Sequence, residues 1–323
     1  MKRILSLVLL LTLLCTLFAC GKKNPDQTPD TGDNTNTNVT YKLGLGTVVE
    51  NSADDVSTEV TVATVLLGTD GKIVACRIDT IAVEGFAEDG VIDTTKTFQS
   101  KMELGSEYGM LGHPYGSTLA EWDAQAKAFE TYVVGKSVSD VEGITTDSNG
   151  KTDLIAGCTV AVASFIEAVA KACKDTYAVS FEAASVPTLG VALVASVAGE
   201  DGEVEVTVDC AATAVANSAV VSATYDSIAV AFTLGTEENT VSFDGSKRDL
   251  GDDYGMLGHP YGSTLAEWYT QAQTFGNYVV GKTASGVAGI TTDANGKTDL
   301  IAGCTIAVTA FMATTANAIA NAR

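Results

Sequence analysis

The chain is predicted to be α+β, built as two tandem homologous modules, each an antiparallel β-meander followed by two helices. Three observations predict this. Valine- and threonine-rich runs bounded by turn residues come first in each half, and stretches with helical periodicity follow them. Whole segments then recur: residues 108–122 are repeated letter for letter as 254–268, and 150–159 as 296–305, both at an offset of 146. Fainter likenesses join Glu59-Val-Thr-Val62 to Glu205-Val-Thr-Val208 and Asp79-Thr-Ile-Ala-Val83 to Asp226-Ser-Ile-Ala-Val230. Two copies this long predict tandem domains, at 40–176 and 177–323, because solenoid units are shorter and more numerous.

The N-terminus has its own logic. Lys2 and Arg3 precede a mostly apolar run from Ile4 to Phe18, too short for an ordinary transmembrane helix. It ends in Leu17-Phe18-Ala19-Cys20, which resembles the lipobox of bacterial lipoproteins. Residues 1–20 are therefore expected to be a signal peptide, with Cys20 lipidated as the new N-terminus. Residues 21–39 hold no large apolar side chain before Val39 and read as a flexible polar tether. The expected location is the bacterial cell surface or periplasm, with contact to the membrane through the lipid anchor alone.

Within the first module, strands are expected at 41–49, 59–67 and 72–81, the last two joined through the turn signal Thr69-Asp70-Gly71. Thr118-x-x-Glu121 has the spacing of a capping box, and Leu119, Trp122, Ala126, Phe129 and Val133 share one helical face before Gly135. A last helix is expected near Ser164, with Glu167 completing a second capping box and Phe165, Ile166, Val169 and Ala172 on its apolar face.

Composition excludes several functions. The formal charge is −21, so the chain repels phosphate backbones and is not expected to bind nucleic acid. Two histidines cannot build a histidine-rich metal cluster. Asn149-Gly150-Lys151-Thr152 ends like a phosphate-binding loop, but Thr145 stands where the first glycine is required, so Asn-Gly reads as a turn. Gly-x-Ser-x-Gly, Cys-x-x-Cys and His-Glu-x-x-His are all missing. Beyond the leader, Cys76, Cys158, Cys173, Cys210 and Cys304 are odd in number, and only Cys158 and Cys304 match in the repeat. They are expected to be buried thiols, with a bridge between two of them the alternative.

The segment Asp153-Leu-Ile-Ala-Gly-Cys-Thr159, followed by an Ala-Val helical face and repeated from Asp299, resembles the end of FMN-binding domains. Such domains occur in the C subunit of the sodium-pumping quinone reductase, the G subunit of the Rnf complex and flavinylated lipoproteins. Their pattern is Asp-x-x-Ser-Gly-Ala-Thr, and a flavin transferase joins FMN to the threonine by a phosphoester. Ala156 and Ala302 stand where serine or threonine is usual, and Cys158 and Cys304 replace alanine. The resemblance implies covalent FMN at Thr159 and Thr305, up to two per chain, with Asp153, Gly157, Asp299 and Gly303 as the supporting motif. A threonine acceptor needs small neighbours so that enzyme and phosphate can approach, which Ala156-Gly157 provides.

The loop Gly112-His113-Pro114-Tyr115-Gly116 and its copy from Gly258 hold both histidines. His113, His259, Tyr115 and Tyr261 are candidates to line an isoalloxazine ring; the plainer reading is a rigid turn feeding a helix, with Trp122 in the core. The expected function is a membrane-anchored extracytoplasmic electron carrier rather than a stand-alone enzyme, its partners a flavin transferase and a membrane quinone or NADH dehydrogenase system. The alternative is a surface lipoprotein with a binding or structural role that has lost the flavin. A two-lobed solute-binding lipoprotein fits less well, because the repeat offers two like sites in series.

Overall fold

The valine-rich runs form three long antiparallel strands in each copy. In the first they are β1 (Val39–Ser52), β2 (Ser57–Leu67) and β3 (Ile73–Val83). The computed structural model describes residues 38–323 except Asp89, Gly90, Pro114, Tyr115, Pro260, Tyr261 and Thr264. The expected signal peptide, Cys20 and all but the end of the tether lie outside the described residues, as do Tyr115 and Tyr261; Val39, assigned to the tether, already belongs to β1. A two-stranded ribbon of β4 (Ala87–Glu88) and β5 (Val91–Ile92) follows. Next come the one-turn helix α1 (Lys101–Leu104), α2 (Trp122–Val133), the short α3 (Val138–Glu142) and α4 (Ala163–Lys174).

The second copy contributes β6 (Val179–Ala183), β7 (Thr188–Glu200), β8 (Glu203–Ala216), β9 (Ala219–Thr233) and β10 (Thr240–Ser242). Helices α5 (Lys247–Leu250), α6 (Trp268–Val279), α7 (Ala284–Ala288) and α8 (Thr309–Ala320) complete it. It repeats the meander and the helix order, with β6 added in front and β10 paired to β9 in place of the ribbon. The protein is α+β, with each meander leading into two long helices and two one-turn helices.

The copies are not separate tandem domains. One sheet has the order β3-β2-β1-β6 and the other β10-β9-β8-β7, so β6, which opens the second copy, completes the first copy's sheet. The described residues cluster as one unit with no division at 176/177. The reason is that the strands are apolar on both faces. Ala63, Val65 and Ile78 face Phe129, Phe165 and Val169 of α2 and α4. On the opposite face Leu45, Val60, Val62 and Ile81 meet Val191, Val206, Val208 and Ile228 of the other sheet. Helices α6 and α8 cover the far side through Trp268, Phe275 and Phe311. The result is four layers, helices–sheet–sheet–helices. An apolar sheet face left over after the helices dock must be covered, and at roughly 1.5–3 kcal/mol per buried aliphatic side chain the matching face of the other copy supplies the cover.

Polar contacts also cross between the copies. Asp175, at the end of α4, accepts from Arg248 Nη2 at 2.6 Å and from Leu45 N at 3.0 Å. Glu130 of α2 lies 3.6 Å from Arg77 Nη1 and 3.3 Å from Arg323 Nη2.

Two buried carboxylates anchor the one-turn helices in the same way. Asp79 Oδ1 accepts from Thr80 N at 2.8 Å and Met102 N at 3.1 Å, and Asp226 Oδ1 from Ser227 N at 2.8 Å and Arg248 N at 3.1 Å. Burial pushes their pKa values up from 3.8, to about 7 for Asp79 and about 6 for Asp226, against the pull of the hydrogen bonds. Both carboxyls thus hold a proton more tightly folded than unfolded. Their contribution is present in full below about pH 4 and is lost as pH rises through 6 and 7. Urea midpoints from pH 4 to 8 should show the stability difference between wild type and Asp79→Asn/Asp226→Asn shrinking or changing sign in the direction that penalises wild type as pH rises. A pH-independent difference contradicts the assignment.

The expected helix starts need correction. Helix α2 begins at Trp122 with Glu121 as its N-cap and no side-chain cap bond, and Leu119 is exposed outside it. Helix α4 begins at Ala163 behind Val162, so Ser164 lies inside the helix and forms no capping box. The expected buried faces hold: Trp122, Ala126, Phe129 and Val133 on α2, and Phe165, Val169 and Ala172 on α4. All five described cysteines are free thiols, four of them buried.

Candidate functional site

Thr159 lies just before α4, at the end of a tight turn. Thr152 and Ile155 anchor this turn to the core, and Gly157 takes φ +86°, which favours glycine. The chain reverses there, with Cys158 N donating to Ile155 O at 3.2 Å, and leaves Thr159 exposed at the surface. Gly303 repeats the conformation at φ +89° before the exposed Thr305. Asp153 and Asp299 lie exposed on the approach to these turns.

The residue that organises the site is one the sequence reading passed over. Gln125, fully buried on α2, accepts from Thr159 N at 2.7 Å and Thr159 Oγ1 at 3.0 Å, and donates from Nε2 to Ala120 O at 2.7 Å. Its Nε2 also lies 3.4 Å from Met110 Sδ. Gln271 makes the same contacts to Thr305, Ala266 and Met256. A glutamine inside the apolar face of a helix, three residues after the tryptophan in both copies, was the available signal.

Glu121 is the N-cap residue of α2 and not the partner of Thr118 in a capping box. Its two oxygens accept from Met110 N at 2.8 Å and Leu111 N at 3.0 Å, and Glu267 does the same for Met256 and Leu257. The carboxylate thus fixes the loop to the start of the helix. The loop turns sharply: a Cβ on Gly116 would lie 1.9 Å from Met110 O. His113 and His259 are exposed on it, each accepting through its carbonyl from the glycine three residues on.

Loop, turn and sheet enclose a groove of about 550 Å³ beside Thr159. Its walls include Tyr108, Trp122, Lys101, Lys151, Ser117 and Glu59. Lys101 Nζ lies 5.5 Å from the Tyr108 ring, 5.8 Å from the Trp122 ring and 2.9 Å from Glu59 Oε2. Ser117 Oγ is 3.5 Å from Thr159 Oγ1. Asp153, Gly157 and His113 are not among its wall residues. Lys247 sits over Tyr254 and Trp268 at 5.5 and 5.7 Å in the second copy, but Thr309 replaces Ala163 there, and its Oγ1 lies 3.0 Å from where a Cβ on Gly296 would be.

Chemically, the groove offers an exposed hydroxyl, aromatic and hydroxyl-bearing walls, and two lysines balanced by Glu50 and Glu59. Its size falls within the roughly 300–1,000 Å³ of small-molecule sites. The aromatic wall suits a planar ring, and Ser117 stands beside the Thr159 hydroxyl.

Gln125→Leu should leave Thr159 N–H, its hydroxyl and the Ala120 carbonyl without this partner, lowering stability by about 2 kcal/mol. Urea unfolding measures the loss, and an unchanged midpoint contradicts the organising role of Gln125. No family model, curated protein or solved structure matches the chain significantly.

Proposed function

We propose that the protein is a lipid-anchored extracytoplasmic electron carrier with FMN joined by phosphoester to Thr159 and Thr305. The observation that carries this reading is an exposed threonine hydroxyl, fixed by a buried glutamine, opening onto a 550 Å³ groove walled by Tyr108 and Trp122. When bound, the isoalloxazine supplies one- and two-electron redox chemistry. The chain's own residues do the rest. Gln125 accepts the Thr159 hydroxyl hydrogen bond and so fixes the direction of the oxygen lone pairs. Lys151 supplies positive charge in an otherwise acidic chain, whereas Lys101 is paired with Glu59. During attachment the Thr Oγ–P bond forms as the hydroxyl loses its proton and phosphorus loses the leaving group carried by the flavin donor. A covalent joint removes the need to hold a phosphate dianion by charge alone.

The flavin transferase acts as the loading partner, and a membrane quinone or NADH dehydrogenase system as the electron source. Cys20 supplies the anchor, at the bacterial cell surface or in the periplasm. Among the described residues no helix is long and apolar enough to cross a membrane.

A specific observation also favours the second reading, a surface lipoprotein with a binding or structural role and no flavin. Thr159 N and Oγ1 both bond to Gln125, so the threonine ties the turn to α2 whether or not a cofactor is attached. Co-expression with a flavin transferase separates the two. A fluorescent band surviving denaturing electrophoresis supports the carrier; a dark band beside a labelled control substrate supports the alternative.

A further inference from the structure

A second cavity, of about 340 Å³, is lined in part by residues at which the two copies differ. It lies against α6, and its wall includes Tyr177, Tyr269, Arg248, Gln273 and Asn277. The repeat is letter-perfect through Trp268 and departs at the next residue. Asp123, Lys127 and Thr131 of the first copy become Tyr269, Gln273 and Asn277, spaced i, i+4 and i+8 along one helix face. An acid and a base have been exchanged for an aromatic ring and an amide.

The cavity has polar groups without a net charge to offer. Arg248 is its one cation, and Asp175 matches that charge at 2.6 Å, with both side chains buried. The guanidinium donates further to Thr224 Oγ1 at 2.5 Å and Tyr225 O at 3.1 Å, so an anion entering the cavity would compete with established partners. Tyr177 and Tyr269 pack against each other, their ring centroids 4.6 Å apart at a 40° tilt, with the Tyr269 hydroxyl donating to Asp252 Oδ1 at 2.9 Å, and together they give the cavity an aromatic wall. Gln273 Nε2 donates to Asn277 Oδ1 at 3.2 Å and to Ala223 O at 3.4 Å, so these bonds engage neither Gln273 Oε1 nor Asn277 Nδ2. One acceptor and one donor, on amides joined by a hydrogen bond and sharing a wall with two tyrosines, match the adjacent hydroxyls and the C–H face of a sugar ring.

We propose that this cavity binds a neutral hexopyranose, free or at the end of a glycan chain. The inference does not depend on the flavin: it concerns other residues and a different ligand.

The test titrates the full-length protein with glucose, galactose, mannose and N-acetylglucosamine and with their methyl glycosides, followed by saturation-transfer NMR and calorimetry. Saturable binding of at least one sugar is expected, weakened at least tenfold by Asn277→Leu and by Gln273→Leu. Thr131→Leu, at the matching position of the first copy, should leave it unchanged. Binding of the methyl glycosides as well as the free sugars marks a chain-end site, and binding of free sugars alone a monosaccharide site; either supports the proposal. No saturable binding across the panel overturns it, as does binding that survives both α6 substitutions or falls equally with Thr131→Leu. Circular dichroism of each variant checks that the fold is retained, and Asn277, exposed on its helix, is the substitution least able to disturb it.

Discussion

Alanine at Thr159 is expected to abolish covalent flavin in the first copy and leave the second untouched, so that protein produced with an active flavin transferase loses about half of its flavin absorbance. Thr159→Ala/Thr305→Ala should be colourless, and Thr159→Ser should regain flavin because the hydroxyl is restored. The comparison is clean because the two sites lie on opposite outer layers of the molecule, each served by its own glutamine. Losing the hydroxyl bond to Gln125 costs about 1 kcal/mol, too little to unfold a domain of this size. Full flavin content in the double alanine variant, measured after denaturation, contradicts attachment at these threonines.

The largest effect on stability is expected where helix meets sheet. Gly44 of β1 and Gly190 of β7 occupy matching repeat positions, and a Cβ on them would lie 2.0 Å from Ala172 O and 1.8 Å from Ala318 O. No side-chain rotation relieves a clash with a helix carbonyl, so α4 or α8 must lift from its sheet, opening the core around Phe165 or Phe311. Gly44→Ala and Gly190→Ala are each expected to lower stability by about 3 kcal/mol. Chemical denaturation checks this, with Gly71→Ala giving a smaller loss that comes from its φ of +74° alone, since nothing crowds its Cβ. Equal losses at all three glycines contradict the close-approach argument.

These glycines show where sequence reading stops. The strands and the apolar faces of α2 and α4 could be read because periodicity is local: Trp122, Ala126, Phe129 and Val133 declare their side whatever they pack against. The run Val60–Leu67 is nearly continuous in apolar residues, which signals burial on both faces. It does not say what covers the second face, and the answer, the equivalent face of the other copy, made one four-layer unit of two expected domains. The placement of β6 beside β1 depends on the same long-range pairing. The capping boxes failed for a different reason. Thr118-x-x-Glu121 has the right letters, but Glu121 makes stronger use of its oxygens on the Met110 and Leu111 amides.

At the candidate site, Thr159 and Gly157 were legible because the turn needs them in sequence. Gln125 was not, because its importance comes from a hydrogen bond spanning 34 residues. Lys101 was likewise hidden, since only the folded meander and helix bring it over Tyr108 and Trp122.

Covalent flavin is the central claim, and the intact mass of the full-length protein, produced with and without an active flavin transferase, tests it most directly. The account predicts an increase of one or two FMN units, each less one water, mapping to peptides that contain Thr159 or Thr305. An unchanged mass, beside a control substrate that the same transferase has labelled, contradicts it.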